Sequence, residues 1–271
     1  NQGGGRFEEV AFGSGVALPE HANFVSGMGA DARDIDNDGL PDIAFVALDK
    51  ETFPLFRNTG KMRFEEITSR SGLTRLSRTM AGYSPGLYDF DNDGWKDLFV
   101  SRGHVQALGL GGQVVVNQHN TVFRNLAGAR MAALTAEAGL NAVPPKRHRG
   151  AAFGDLDGDG RIDVVVTALR EPAELWMNQS PGGNHWLMLH LEGTKSNRDA
   201  VGAEIRLVSK SGIQYNHVST CVGYASASAS PVHFGLGNDA TVDLIEVQWP
   251  SGVTQRLRNV AADQIIRVRE P

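Results

Sequence analysis

The 271-residue chain contains one cysteine, Cys221, so no internal disulfide is available to it. A lone cysteine reads as a small buried residue rather than a nucleophile. No apolar run reaches the roughly 18 residues that a membrane-spanning helix needs. His-Glu-x-x-His and P-loop patterns do not occur, which removes the common signatures of metalloproteases and nucleotide-binding enzymes. Nor is there a basic surplus: 26 Lys and Arg face 31 Asp and Glu, a formal charge of −5 that leaves no nucleic-acid footprint. A sustained 3.6-residue apolar period is missing as well, which argues against a helical repeat protein.

The acidic residues are concentrated. One nine-residue frame occurs three times: Asp34-Ile-Asp36-Asn-Asp38-Gly39-Leu40-Pro-Asp42, Asp89-Phe-Asp91-Asn-Asp93-Gly94-Trp95-Lys-Asp97 and Asp155-Leu-Asp157-Gly-Asp159-Gly160-Arg161-Ile-Asp163. Each places Asp at positions 1, 3, 5 and 9 and Gly at 6, where a sharp turn lets alternate side chains converge. Two such charges about 4 Å apart repel by roughly 4 kcal/mol at an effective dielectric near 20. A hard cation removes that cost, and Ca²⁺, which accepts 6–8 oxygen ligands in tolerant geometry, suits the frame better than Mg²⁺. The three loops hold 12 of the 31 acidic residues, so three divalent ions bring the chain near neutrality. The acidity therefore carries no message about a basic partner.

An EF-hand opens in the same way but needs a bidentate Glu at position 12 between two helices. Position 12 here is Phe45, Val100 or Val166, inside β-branched and aromatic runs of strand length. The loops therefore join strands. A second marker recurs as Leu55-Phe-Arg-Asn58, Val122-Phe-Arg-Asn125 and Leu175-Trp-Met-Asn178. Six residues after the first two Asn come Phe64-Glu-Glu-Ile67 and Met131-Ala-Ala-Leu134, followed by Gly72-Leu73 and Gly139-Leu140. The chain opens in the same register, with Phe7-Glu-Glu-Val10 and then Gly15-Val16. Successive loops are 55 and 66 residues apart. Four strands per unit at that period predict β-propeller blades, with 131–140 read as strand by its register.

These loops and their strand frames resemble the FG-GAP/VCBS repeats of integrin-α-type propellers over roughly residues 1–180. The resemblance implies that Asp at positions 1, 3, 5 and 9 and the position-7 carbonyl hold Ca²⁺. The implied ligands are Asp34, Asp36, Asp38, Leu40 and Asp42; Asp89, Asp91, Asp93, Trp95 and Asp97; and Asp155, Asp157, Asp159, Arg161 and Asp163. Closed propellers usually have four to eight blades, whereas about three full units and one orphan N-terminal strand are readable. Two explanations stand: further blades upstream, or an open arc whose edges pair with another subunit.

The repeat frame stops near Gly182-Gly183, dividing the chain into expected units 1–182 and 183–271. Seven strand-length segments follow and predict a small antiparallel β-sandwich. Asn184-His-Trp-Leu187, Ser196-Asn-Arg198, Val201-Gly-Ala203, His233-Phe-Gly-Leu-Gly237 and Trp249-Pro-Ser-Gly252 resemble the ASPIC/UnbV domain. Gly103-His104 and Arg149 to Asp155 share that likeness, which points to the cartilage acidic protein family and its bacterial relatives. The overall expectation is all-β: calcium-binding four-stranded blades plus a sandwich.

Loops this open normally fill at affinities near 10⁻⁴–10⁻³ M, which implies a secreted, surface or periplasmic setting. The second unit carries a long insertion, Arg102 to Asn120, containing His104, Gln106, Gln113, Gln118 and His119; long loops on rigid scaffolds often carry recognition. Lys146-Arg147-His148-Arg149 offers an anion such as a sulfated glycan a grip. Arg102, His104, His119, Arg147 and Arg149 are thus the candidate partner contacts. Two functions fit. One is a non-catalytic extracellular module binding a protein or glycan, with about three structural Ca²⁺ stiffening its blades. The other is the propeller of a secreted polysaccharide- or lipid-acting enzyme, or its accessory domain. Fold alone does not separate them, but no second carboxylate pair or nucleophile–base pair is readable.

Overall fold

A computed structural model describes residues 3–105, 115–128 and 130–271. Gln106 and Gln113 of the insertion lie outside the described residues. Each Asp frame folds as predicted into a connection between two antiparallel strands. The first sheet runs β1 (Ala30–Arg33), β2 (Asp42–Phe45), β3 (Leu55–Gly60) and β4 (Arg63–Glu66), in that order. The second repeats it with β5 (Gly82–Tyr88), β6 (Asp97–Arg102), β7 (Thr121–Leu126) and β8 (Arg130–Ala133). The third contains β9 (His148–Gly154), β10 (Asp163–Ala168) and β11 (Glu171–Trp176).

Apolar residues on both faces weld these sheets together in propeller fashion. Phe53, Leu55, Leu87, Leu98, Val100 and Phe123 are buried between the first and second. Between the second and third, Tyr88 stacks on Phe153 at 4.8 Å and Phe99 meets the same ring edge-on at 5.6 Å. The innermost strands β1, β5 and β9 lie side by side.

Two further sheets complete the molecule. One is β15 (Val232–Gly237), β12 (His185–Glu192) and β18 (Gln264–Arg269); the other is β14 (Gly212–His217), β13 (Glu204–Ser209), β16 (Thr241–Gln248) and β17 (Thr254–Ala261). They share a core of Leu187, Leu189, Ile205, Leu207, Phe234, Ile245, Val247 and Trp249. Five small sheets therefore account for the described strands, more than the roughly three blades expected.

Several expectations need correction. The last two sheets are not wholly antiparallel, because β12 pairs with β18 in parallel. The third unit has three strands rather than four, since the chain after Asn178 departs to become β12. Residues 135–141 are turns after the short β8, so only the start of the expected strand 131–140 forms. The segment 64–77 likewise continues from β4 into two short helices, α2 (Thr68–Ser71) and α3 (Leu73–Ser77). Residues 7–10 form no strand but lead into a third, α1 (Ala11–Ser14). Cys221 is exposed, not buried.

Phe123 is fully buried and meets Phe53 edge-on at 6.1 Å across the first interface. Phe123→Ala is expected to cost about 3–5 kcal/mol. Leu126→Ala, three residues along the same strand and half exposed, is expected to stay within about 0.5 kcal/mol. Denaturant titration of both variants checks the contrast.

Candidate metal centres

The backbone of each frame turns through the left-handed region twice, at position 4 (Asn37 φ 60°, Asn92 φ 58°, Gly158 φ 81°) and at position 6 (Gly39 φ 91°, Gly94 φ 96°, Gly160 φ 84°). Asn and Gly tolerate that region best. The turn aims two amides at the first aspartate. Asp38 and Gly39 N–H donate to Asp34, Asp93 and Gly94 to Asp89, and Asp159 and Gly160 to Asp155.

The ninth residue is held from both sides. Ile35, Phe90 and Leu156 N–H donate to Oδ2 of Asp42, Asp97 and Asp163 at 3.0, 3.2 and 2.8 Å. Asn58, Asn125 and Asn178 N–H donate to the other oxygen, each at 2.7 Å. This explains why Asn recurs in the second marker. Its side chain also clips neighbouring units: Asn125 Nδ2 donates to Ile35 O of the first loop, and Asn178 Nδ2 to Phe90 O of the second.

The result is three carboxylate triads, Asp34–Asp36–Asp42, Asp89–Asp91–Asp97 and Asp155–Asp157–Asp163, each with one oxygen per residue within 4.8 Å of the others. The position-5 residues Asp38, Asp93 and Asp159 are not brought into these triads. They accept the N–H of residue 7 (Leu40, Trp95, Arg161) and pair with Arg57, Arg124 and Arg161. Arg57 and Arg124 sit in the Phe-Arg-Asn marker, so repetition marked them, yet the sequence reading gave them no role. In the third unit Met177 holds that place and Arg161 substitutes from within the loop.

Does a cation fit? Asp36 Oδ1 and Asp91 Oδ1 are buried and accept no hydrogen bond, a cost each site carries until a cation is bound. Burial first, then neighbouring carboxylates, push Asp34, Asp91 and Asp97 upward, Asp42 to about 7 and Asp89 to about 8. Asp163 is also raised, by burial. All-oxygen donors, crowded and under-satisfied, match a hard divalent cation.

The last two sheets cover the loops, which nothing in the repeat pattern announces. Gly160 lies so close under the Trp186 indole that a Cβ there would stand 1.9 Å from it, and the Tyr215 ring lies over Gly39. Asn184 Nδ2 donates to Asp91 O, and Gly237 N–H to Asn92 O, both at 2.8 Å. His233 Nε2 lies 3.2 Å from Gly160 O; burial holds its pKa down, near 4. Lys96 donates to Asp34 O at 2.9 Å and Tyr215 O at 3.0 Å, and burial lowers its pKa to about 8.

The candidate partner contacts separate. His104 is buried, its Nε2 2.9 Å from Asp49 Oδ1. Arg102 donates to Gln118 Oε1 and Thr121 Oγ1, and burial lowers its pKa to about 10. Both serve the interior. Arg149 lies over the Tyr83 ring at 3.9 Å and donates to His148 O and His104 O. His119 and Arg147 are half-buried.

Raised folded pKa values mean that the cation-free protein binds extra protons between about pH 4 and 8, and loses stability as they leave. His233 works in the opposite sense, but only below about pH 6.5, and Lys96 only above about 8. In chelator the melting temperature should therefore fall from pH 6.5 to 8, and in saturating calcium it should stay level. Arg124→Gln, which removes the partner of Asp91 and Asp93, should lower the melting point in chelator by about 1–3 °C and by less in calcium. Scanning calorimetry reads both.

Residues 34–100 match the FG-GAP-like repeat family and residues 193–271 the ASPIC and UnbV family. Cartilage acidic protein 1 of Xenopus tropicalis is 29% identical over 264 residues, covering 93% of this chain and 37% of the relative. The Homo sapiens protein of the same name is 27% identical over 279 residues, covering all of this chain and 39% of the relative. The chain thus spans about two-fifths of the length of these relatives. It carries an FG-GAP-like repeat and an ASPIC and UnbV domain, and it is a homologue of cartilage acidic protein 1.

Proposed function

We propose that this chain is a calcium-binding, non-catalytic interaction module that works outside the cell. The observation that carries the reading is the threefold triad with two buried, unpartnered carboxylate oxygens. In each loop the residues at positions 1, 3 and 9 would hold the ion, and the position-5 Asp and position-7 carbonyl lie within the same turn. A bound Ca²⁺ supplies charge neutralisation and no reaction. The chain's own residues do the rest: backbone amides orient positions 1 and 9, and the marker Asn ties each loop to its neighbour. Homology to an FG-GAP-like protein named for cartilage supports an extracellular setting.

A protein or glycan is the partner class, and the half-buried His119, Arg147 and Arg149 would be its contacts. Arg102 and His104 would support those contacts through their own side-chain hydrogen bonds. Residues of the last two sheets lie against each loop, so calcium should order loop and cover together, rather than its own sheet alone.

Hydrogen exchange in chelator and in calcium tests this reading. Calcium should slow exchange at 34–42, 89–97 and 155–163, and also in β14 and β15. Asp91→Ala should abolish the effect at 89–97 and weaken it at β15. Unchanged exchange on adding calcium would refute the assignment. At calcium 100-fold above the dissociation constant each intact site should add about 2.7 kcal/mol.

A further inference from the structure

We infer, resting on the calcium assignment of the triads, that Arg57 and Arg124 are resident counter-ions that set how much calcium the first two loops need to fill. Each guanidinium bridges positions 3 and 5 of its loop. Arg57 Nε and Nη2 lie 2.5 and 3.2 Å from Asp36 Oδ2 and Asp38 Oδ2. Arg124 Nη2 lies 2.7 and 3.1 Å from Asp91 Oδ2 and Asp93 Oδ2. The other oxygen of each position-3 carboxylate, Asp36 Oδ1 or Asp91 Oδ1, is the buried one that accepts no hydrogen bond. Each of these carboxylates thus carries a guanidinium on one oxygen and keeps the other for an ion. The fixed positive charge stands a single carboxyl group away from the triad.

The third loop lacks this arrangement. Met177 stands where the marker has Arg57 and Arg124, and Arg161 pairs with Asp159. Among the described residues no cation pairs with Asp157. Asp157 is also the exposed member of the three position-3 residues, whereas Asp36 and Asp91 are half-buried. Water screens Asp157, and the guanidinium is present where water screens less. That is the distribution a counter-ion requires. Hydrogen bonding alone does not account for Arg124, whose own Nε is buried without an acceptor.

A guanidinium and a divalent cation repel each other, and here they draw on the same carboxylates. In the empty loop the arginine offsets the crowding of like charge. In the filled loop it lowers the net negative charge that holds the ion, and ligand charge count is one determinant of calcium affinity. Loss of the guanidinium therefore has opposite consequences: a less stable empty loop and a more tightly held ion. A residue that merely held Asp36 or Asp91 in position would, on removal, weaken both.

Isothermal titration of calcium into the chelator-stripped full chain at low ionic strength tests this, with melting curves on the same samples. Arg57→Gln and Arg124→Gln should each let one calcium bind at about three- to tenfold lower free concentration, while the melting temperature in chelator falls. Arg124→Lys, which keeps the charge, should stay within about twofold of the unsubstituted chain. Arg256→Gln, which removes a salt bridge to Glu246 on β16, should leave calcium binding unchanged. Unchanged or weaker binding in both glutamine variants, or tightening by Arg124→Lys as large as by Arg124→Gln, would overturn the inference and leave the calcium assignment standing. No calcium bound by the unsubstituted chain would overturn both.

Discussion

Everything in the repeat region hangs on the convergence of like charges. A turn that brings three carboxylates within 4.8 Å is unfavourable by itself, and the chain supports it with amides aimed at positions 1 and 9. The same hydrogen bonds set the spacing of the sheets, because the Asn that orients position 9 also caps a carbonyl of the preceding loop. Loop geometry and sheet packing are thus one network. Asn37 and Asn92 extend it by donating to Gly94 O and Gly160 O of the next loop.

The last two sheets belong to this network more than a separate sandwich would. Trp186, Tyr215 and His233 close over loop glycines, and Lys96 joins the first loop to β14. Residues 223–229 run along the innermost strands of all three loop-bearing sheets: Gly223 N–H donates to Ala30 O, Tyr224 N–H to Ser84 Oγ, and Ala229 N–H to Phe153 O. The cover therefore touches every repeat, and ordering of the loops is transmitted to it by direct contact.

Much of this was legible because it is periodic. The Asp frames, the marker Asn and the strand class follow from spacing, and the triads form where the frames stand. The misses have physical reasons. Position-5 aspartates stand beside the triads and pair with Arg57, Arg124 and Arg161, of which the first two also reach Asp36 and Asp91. His104 and Arg102 read as recognition residues from their place in a long insertion, yet His104 is buried against Asp49 and the half-buried Arg102 is taken up by Gln118 and Thr121. The parallel pairing of β12 with β18 joins residues more than seventy positions apart with no repeat to mark it. Residues 7–10 follow the repeat register but pair with no described sheet, so the strand expected there does not form.

Titrating calcium into chelated protein, with binding calorimetry and melting temperature followed on the same sample, tests the central claim most directly. The account predicts about three ions bound and a large rise in melting temperature that follows occupancy. No binding, or binding that leaves the melting temperature unchanged, would contradict it.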